Sequence, residues 1–298
     1  MSYTEIKVKN GKNYYYRVKS IKHNKKVNKE RIYLGVNLTK DELEKKEVEA
    51  DQELNIFGVV LSSEEIKFLD KIKKEFSNEP KENYENRYES FCTLFAYDST
   101  GIEGNTLTLT ETSFLLFEGI VPKEKSLREV HEVINHKKAF DYILNYQGEI
   151  TKEFILELHK LVMINTLRQD LLSQMGRYRT VQVFIGMSVP PKPQDVPDRM
   201  TYLLRWYSSN KNKLHPLVLA SQFHAEFEKI HPFVDGNGRV GRLLLNFILH
   251  KNKYPMINIP KKNKMKYYEV LQKAQYGKKL RPFVAFMISL LKKEGLRF

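Results

Sequence analysis

The sequence is poor in several things, and each shortage excludes a class of protein. A single cysteine, Cys92, rules out an intrachain disulfide and a cysteine-rich metal site, and in "ESFCTLFAY" it reads as a small apolar core residue. The longest apolar stretches, such as "LLLNFIL" (243–249), are far too short to span a bilayer, which takes about 20 residues. The opening "MSYTEIKVKNGK" lacks an apolar signal region, so the expected compartment is the cytoplasm. No repeat or low-complexity tract appears, and 41% hydrophobic with 12% aromatic residues is enough for a packed core in 298 residues.

Acidic residues are also in deficit, with 36 against 50 Lys and Arg, for a net charge of +14. The deficit is local. Residues 1–36 hold ten basic residues (Lys7, Lys9, Lys12, Arg17, Lys19, Lys22, Lys25, Lys26, Lys29, Arg31) against Glu5 and Glu30, so +8 of the +14 lies there. Such an arm either grips a polyanion such as nucleic acid or is a solvated face.

The pattern along the chain is mainly helical. "KNYYYRVKSIK" and "VNKERIYLG", joined by "HNKK", alternate like a β-hairpin ending at Gly35. After it, "TKDE" (39–42), "SSEE" (62–65), "TLTE" (108–111) and "SLRE" (126–129) carry the spacing of capping boxes that open helices. "TKEFILELHKLVMINTL" places Ile155, Leu158, Leu161 and Val162 on one helical face. "GRYRTVQVFIGMSVPPKPQDV" interrupts this pattern with a β-like run and a proline cluster. Helices are then expected over about 196–209, 216–230, 239–251, 264–275 and 281–294. The predicted organisation is a basic β-hairpin arm with linker (1–60) and a helical domain (61–298) with an embedded β-hairpin flap at about 178–188.

One loop is chemically dense. "HPFVDGNGRVGR" (231–242) separates two apolar helices with a histidine, an aspartate, an asparagine, three glycines and two arginines. Pro232 breaks the preceding helix, and the glycines let backbone N–H groups converge on one point. The helix expected to start near Arg239 offers an anion site at its N-terminus, and Arg239 and Arg242, three apart, would face the same ligand. Asp235 supplies an oxygen suited to Mg²⁺ beside phosphate, and His231 a base that titrates near neutrality. Together these residues describe a polyphosphate site with a metal ligand and a proton acceptor.

Other candidates are weaker. In "HEVINH" the histidines 131 and 136 are five apart, about 140° around a helix, so they cannot share one zinc. His159 and His224 lie in apolar helices and read as core-edge residues. Arg177 and Arg179 flank the flap and face either phosphate or solvent.

The loop resembles, position for position, the Fic signature HPFx(D/E)GNGRxxR, and the resemblance extends over about residues 85–295. It implies a Fic-type helical core that transfers AMP from ATP to a Ser, Thr or Tyr hydroxyl of a protein, itself included. By the resemblance, His231 is the catalytic base and Asp235 holds Mg²⁺. Gly236, Asn237, Gly238, Arg239, Val240, Gly241 and Arg242 line the phosphates, and the flap residues Val183, Phe184, Ile185 and Gly186 cover the nucleotide and pair with a target strand. Tyr267 matches an adenine-pocket tyrosine, while Gln275 stands where close relatives carry Asn. "STGIEGN" (99–105) matches the inhibitory (S/T)xxxE(G/N) motif of class II members, on a helix of about 88–104. There Glu103 would form a bidentate pair with Arg242 and deny it to the γ-phosphate, or position water for AMP removal. Relatives of this class often form homodimers. The alternative is a nucleic-acid-binding regulator that uses the basic arm, with the Fic core as a nucleotide sensor.

Overall fold

The computed structural model describes residues 2–23, 26–56, 60–186, 188–277 and 279–294. The chain forms two compact units, 1–63 and 64–298.

The first unit is a three-stranded antiparallel sheet in the order β1 (Ser2–Lys9), β2 (Lys12–His23), β3 (Lys26–Val36), followed by helix α1 (Lys40–Ile56). The hairpin expected at 12–35 is there as β2–β3, and a strand that was not expected precedes it. Asn10 and Gly11 turn with φ of 50° and 71°, the paired positive angles that an Asn-Gly hairpin turn requires. The turn expected in "HNKK" includes residues 24–25, which lie outside the described residues. A bulge opposite Tyr15 and Tyr16 lets Leu34 sink to 5% exposure. The cap of α1 is reciprocal: Thr39 N–H donates to Glu42 Oε2 at 3.0 Å, and Glu42 N–H reaches Thr39 Oγ1 at 3.4 Å.

The second unit is helical. It runs through α2 (Ser63–Ser77), α3 (Tyr84–Ile102), α4 (Leu109–Ser113), α5 (Leu127–Asn145), α6 (Lys152–Met163), α7 (Val196–Asn210), α8 (Pro216–Ile230), α9 (Asn237–Lys251), α10 (Lys264–Gln275) and α11 (Leu280–Glu294). Thr108 with Glu111 and Ser126 with Glu129 form full capping boxes at α4 and α5. Helix α9 is the axis of the unit. From Val240 to Leu249 nearly every residue is buried, because α3, α5, α6 and α8 surround it. A helix covered on all sides needs apolar residues all round, which is what "LLLNFIL" supplies. Its polar interruption, Asn246, is matched to the 257 backbone by an accepted bond of 2.7 Å and a donated one of 3.0 Å. Cys92 is buried, as expected for a small apolar residue.

The expected β-hairpin flap is reduced to one bridge. Ile185 and Ser188 exchange two backbone bonds of 3.0 and 2.9 Å, and among the described residues the ladder goes no further. Pro190 and Pro191 have no N–H to continue it.

Candidate active site

The loop between α8 and α9 carries local strain. His231 takes φ 51° and ψ 63°, a left-handed conformation that costs a non-glycine residue about 1–3 kcal/mol. Several bonds hold it there. His231 N–H donates to Phe227 O at 2.9 Å, and Arg179 Nε donates to His231 O at 2.8 Å. Arg179 N–H reaches Pro232 O at 2.8 Å. The Asn237 side chain closes on Phe233, accepting from its N–H and donating to its carbonyl, both at 2.9 Å. The amide of Asn237 is thus spent on bracing the loop, which leaves its backbone N–H to face a ligand. Helix α9 begins at Asn237, two residues before the expected Arg239, so the last two residues of "DGNG" are helical. Gly236 caps it at φ 80°, and a Cβ there would meet Met163 Sδ at 2.6 Å.

His159 is more than a core-edge residue. Its ring stacks on Phe233 at 3.8 Å, and its Nδ1 accepts from Gly176 N–H at 3.0 Å. That assigns the proton to Nε2, which donates to Asp235 O at 3.1 Å. Arg179 is turned from solvent toward the backbone. It is 2% exposed and gives its guanidinium to the carbonyls of His231, Val181 and Pro191 at 2.8, 3.2 and 2.5 Å, tying both ends of the flap to the loop. The flap itself is open to solvent, with Phe184 71% and Ile185 39% exposed, Val183 half-buried and Gly186 at φ 55°.

The two arginines of α9 have separate partners. Arg239 pairs with Asp235 Oδ1 at 3.3 Å and Glu132 Oε1 at 3.6 Å. Arg128 of α5 approaches the other Asp235 oxygen at 3.4 Å. Arg242 donates through Nε to Ser99 Oγ at 2.9 Å, and through Nη2 to Ser99 O and Glu103 Oε1, each at 2.8 Å. The Glu103–Arg242 contact is therefore single rather than bidentate: Ser99 takes Nε and shares Nη2 with Glu103, and Nη1 makes no hydrogen bond among the described residues. The carboxylate lies over the first turn of α9: a Cβ on Gly238 would stand 2.2 Å from Glu103 Oε1. An anion already occupies the helix N-terminus, and it comes from the chain itself.

The motif that carries Glu103 is anchored on both sides. Asp98 accepts from Asn258 Nδ2 at 2.5 Å and from Lys261 N–H at 2.7 Å. Asn105 donates to Glu129 O and Glu132 Oε2, both at 3.0 Å, and Gly104 makes the intervening turn at φ 107°. Glu132 thus touches both the inhibitory-type motif and Arg239.

Burial sets the protonation states. It lowers His231 to about 4, so the imidazole is neutral at pH 7, the form that accepts a proton. It pushes the Glu228 carboxyl up to about 8, and Glu228 Oε2 lies 3.9 Å from His231 Nδ1. Burial is the largest influence and works against the Arg242 charge, but Glu103, Tyr267 and Glu228 together outweigh it and the guanidinium is held above its ordinary value. Tyr267 is buried with its hydroxyl 2.7 Å from His224 Nε2, and Gln275 is half-buried at the last position of α10. Val240 and Gly241 are buried inside α9.

Asp235 suits a divalent cation of the kind that takes one carboxylate and completes its shell with phosphate oxygens and water. Its side chain is 40% exposed at the rim, beside the α9 N-terminus. Sequence reasoning assigned no role to Ser99, although it is the first residue of the quoted "STGIEGN", and passed over Asn105, Arg128, Glu132 and Glu228.

Comparison with known proteins relates the fold to one family. The Fic/DOC family profile matches residues 149–249. Protein adenylyltransferase Fic of Drosophila persimilis is 40% identical over 201 residues, 66% of this chain and 39% of that protein; the Drosophila grimshawi protein is 39% identical, with 66% and 41% covered. The chain thus spans about two fifths of the length of these relatives. Among solved structures, a Fic domain containing signaling protein from Bacteroides thetaiotaomicron superposes with a TM-score of 0.70 at 30% identity, over 77% of this chain and 94% of that one. Fic-1 from C. elegans superposes with a TM-score of 0.69 at 27% identity, over 87% and 76%.

Proposed function

This chain belongs to the Fic/DOC family, and from that premise we propose that it transfers AMP from ATP to a Ser, Thr or Tyr hydroxyl of a protein, and that Glu103 holds the transfer off. The observation that carries the reading is the Glu103 carboxylate over Gly238 and 2.8 Å from Arg242, on the anion site at the α9 N-terminus.

In this reading the triphosphate takes the place of Glu103. The N–H groups of Asn237 and Gly238 and the freed Arg242 orient it, and Arg239 adds charge from the other side. His231, with Nδ1 toward Glu228, presents Nε2 to the target hydroxyl and takes its proton. The hydroxyl oxygen bonds to the α-phosphorus, the bond from that phosphorus to the bridging oxygen breaks, and pyrophosphate leaves. Asp235 would hold Mg²⁺, which supplies neutralising charge to the leaving group when bound. The exposed edge of the flap at Phe184–Ile185 suits pairing with an extended target segment. Tyr267 closes the adenine end as part of a buried pair with His224, with Gln275 at the rim.

The test is incorporation of label from α-labelled ATP with Mg²⁺, into lysate proteins and into the chain itself. Glu103→Gly should raise it tenfold or more, since about 1.4 kcal/mol of competition lost is a factor of ten. An unchanged signal from folded, ATP-binding Glu103→Gly would overturn the autoinhibition. A labelled product returned to wild-type protein with Mg²⁺ reads the opposite direction, AMP removal.

A further inference from the structure

The strands of the first unit carry a charge pattern that AMP transfer does not use. Helix α1 (Lys40–Ile56) has seven acidic residues against three lysines, whereas residues 1–36 carry +8. The two signs are segregated by the fold. Glu47 of α1 bonds both Thr4 and Arg17, which are register partners on β1 and β2, and Lys46 donates to Leu34 O at 2.8 Å. The acidic helix therefore covers the sheet face that holds Thr4 and Arg17.

Side chains alternate along a strand, so the neighbours of those residues point the other way. The contacts agree: Lys7 Nζ lies 5.4 Å over the Tyr16 ring, the Tyr16 and Tyr33 rings are 5.3 Å apart, and Arg31 pairs with Glu5 at 2.9 Å. On this outer face Lys7, Lys9, Lys12 and Arg31 are exposed, and Tyr33 is 52% exposed. Glu5 is the one acid among them, and it is already engaged.

β2 and β3 also run on past the end of β1. Ser2 pairs with Lys19, while the β2–β3 ladder continues through Ser20↔Lys29 and Lys22↔Val27 to His23↔Lys26. A two-stranded ribbon with Lys22, Lys26 and Lys29 and no acid at these paired positions thus extends from a basic sheet face.

We propose that this unit binds duplex DNA. The major groove, about 12 Å wide, admits a two-stranded β-ribbon, and Lys7, Lys9, Lys12 and Arg31 of the adjoining sheet face would meet phosphates farther along the same duplex. A single-stranded platform is disfavoured because Tyr14, Tyr16 and Tyr33 pack against one another, with centroids 6.4 and 5.3 Å apart, and not as separate rings for successive bases. The inference does not depend on the transfer reaction.

The experiment is fluorescence anisotropy of a labelled 30-base-pair duplex of mixed sequence with the full chain, over a salt series. With about four phosphates neutralised, affinity should fall about a hundredfold between 50 and 200 mM salt. Lys7→Glu/Lys9→Glu/Lys12→Glu should weaken binding at least tenfold and flatten the salt slope, with the melting temperature within about 3 °C of wild type. Absence of binding at 50 mM salt, or equal binding by the triple variant, would overturn the proposal. So would equal affinity for heparin or for a single strand of the same length, since the duplex would then have no special standing.

Discussion

The two units treat positive charge in opposite ways. In the sheet unit Lys7, Lys9, Lys12 and Arg31 stand in solvent. In the helical unit Arg179, Arg239 and Arg242 are each 2% exposed. Burying a guanidinium is costly unless fixed acceptors meet it, and each of these three has some: carbonyls for Arg179, carboxylates for Arg239, and Ser99 with Glu103 for Arg242, while among the described residues Arg239 Nε and Nη1 and Arg242 Nη1 make no hydrogen bond. A buried cation is committed to particular atoms at particular distances, so a single substitution should change what the site does. An exposed cation acts through the summed field, and its loss should register only on a polyanion.

The largest effect expected in the helical unit is on chemistry. His231→Ala should lower AMP transfer by about 10²–10⁴-fold, the usual contribution of a general base, while calorimetry finds ATP binding largely kept. Equal losses of binding and transfer would make His231 a brace for the loop, a role its φ of 51° and its carbonyl bond to Arg179 would also fit.

Arg242 comes next, because in the proposed function it serves both the off state and the on state. Arg242→Ala breaks the pair with Glu103 as surely as Glu103→Gly does, yet it removes the group that the proposed function assigns to the γ-phosphate. It should leave label incorporation at or below the wild-type level. The double variant should match Arg242→Ala alone, a non-additivity expected of residues in direct contact. Activation by Arg242→Ala would mean that the arginine restrains the enzyme and does not hold the nucleotide.

How far the sequence could be read follows the same division between local and distant partners. The capping boxes at Thr108 and Ser126 were legible because both members lie within four residues. The signature loop was legible as a dense run of unusual residues, and Glu103 through its motif. Ser99 is 143 residues from Arg242, Arg128 is 107 from Asp235, His159 is 76 from the Asp235 carbonyl, and Arg179 is 52 from His231. Nothing in a single sequence sets an arginine that clamps carbonyls apart from one that faces phosphate. β1 was passed over although "KNGK" holds an Asn-Gly turn signal, because the segment was read for its charge and for the absence of an apolar leader, not for a turn.

Acid should separate the units without any mutation. Burial holds His159, His215 and His231 at about 4 and His136 and His224 at about 3, all in the helical unit. The unfolded chain, with imidazoles near 6.5, binds more protons, so this contribution is complete above about pH 6.5 and is lost as pH falls toward 4. Glu228, raised to about 8, works in the opposite sense: its contribution is present below about 4.5 and fades as pH rises toward 8. The urea midpoint of the helical unit should therefore peak near neutrality and drop steeply by pH 5. A midpoint that stays level from pH 7 to 5 would mean that these imidazoles are not held neutral.

The smallest effect is the one expected from the largest change in charge. Lys7→Glu/Lys9→Glu/Lys12→Glu alters net charge by six, yet all three lysines are exposed. Lys9 and Lys12 face each other across the Asn10-Gly11 turn, where like charges repel mildly whichever sign they carry. Lys7 gives up its place over the Tyr16 ring, an exposed cation–π contact worth about 0.5–1 kcal/mol at most. The variant should melt within about 3 °C of wild type and incorporate AMP at the wild-type rate in the Glu103→Gly background. A loss of transfer with the helical unit intact would mean that the basic sheet presents the target protein to the site. The contrast between diffuse and committed charge would then fail, because surface lysines of one unit would be setting the chemistry of the other.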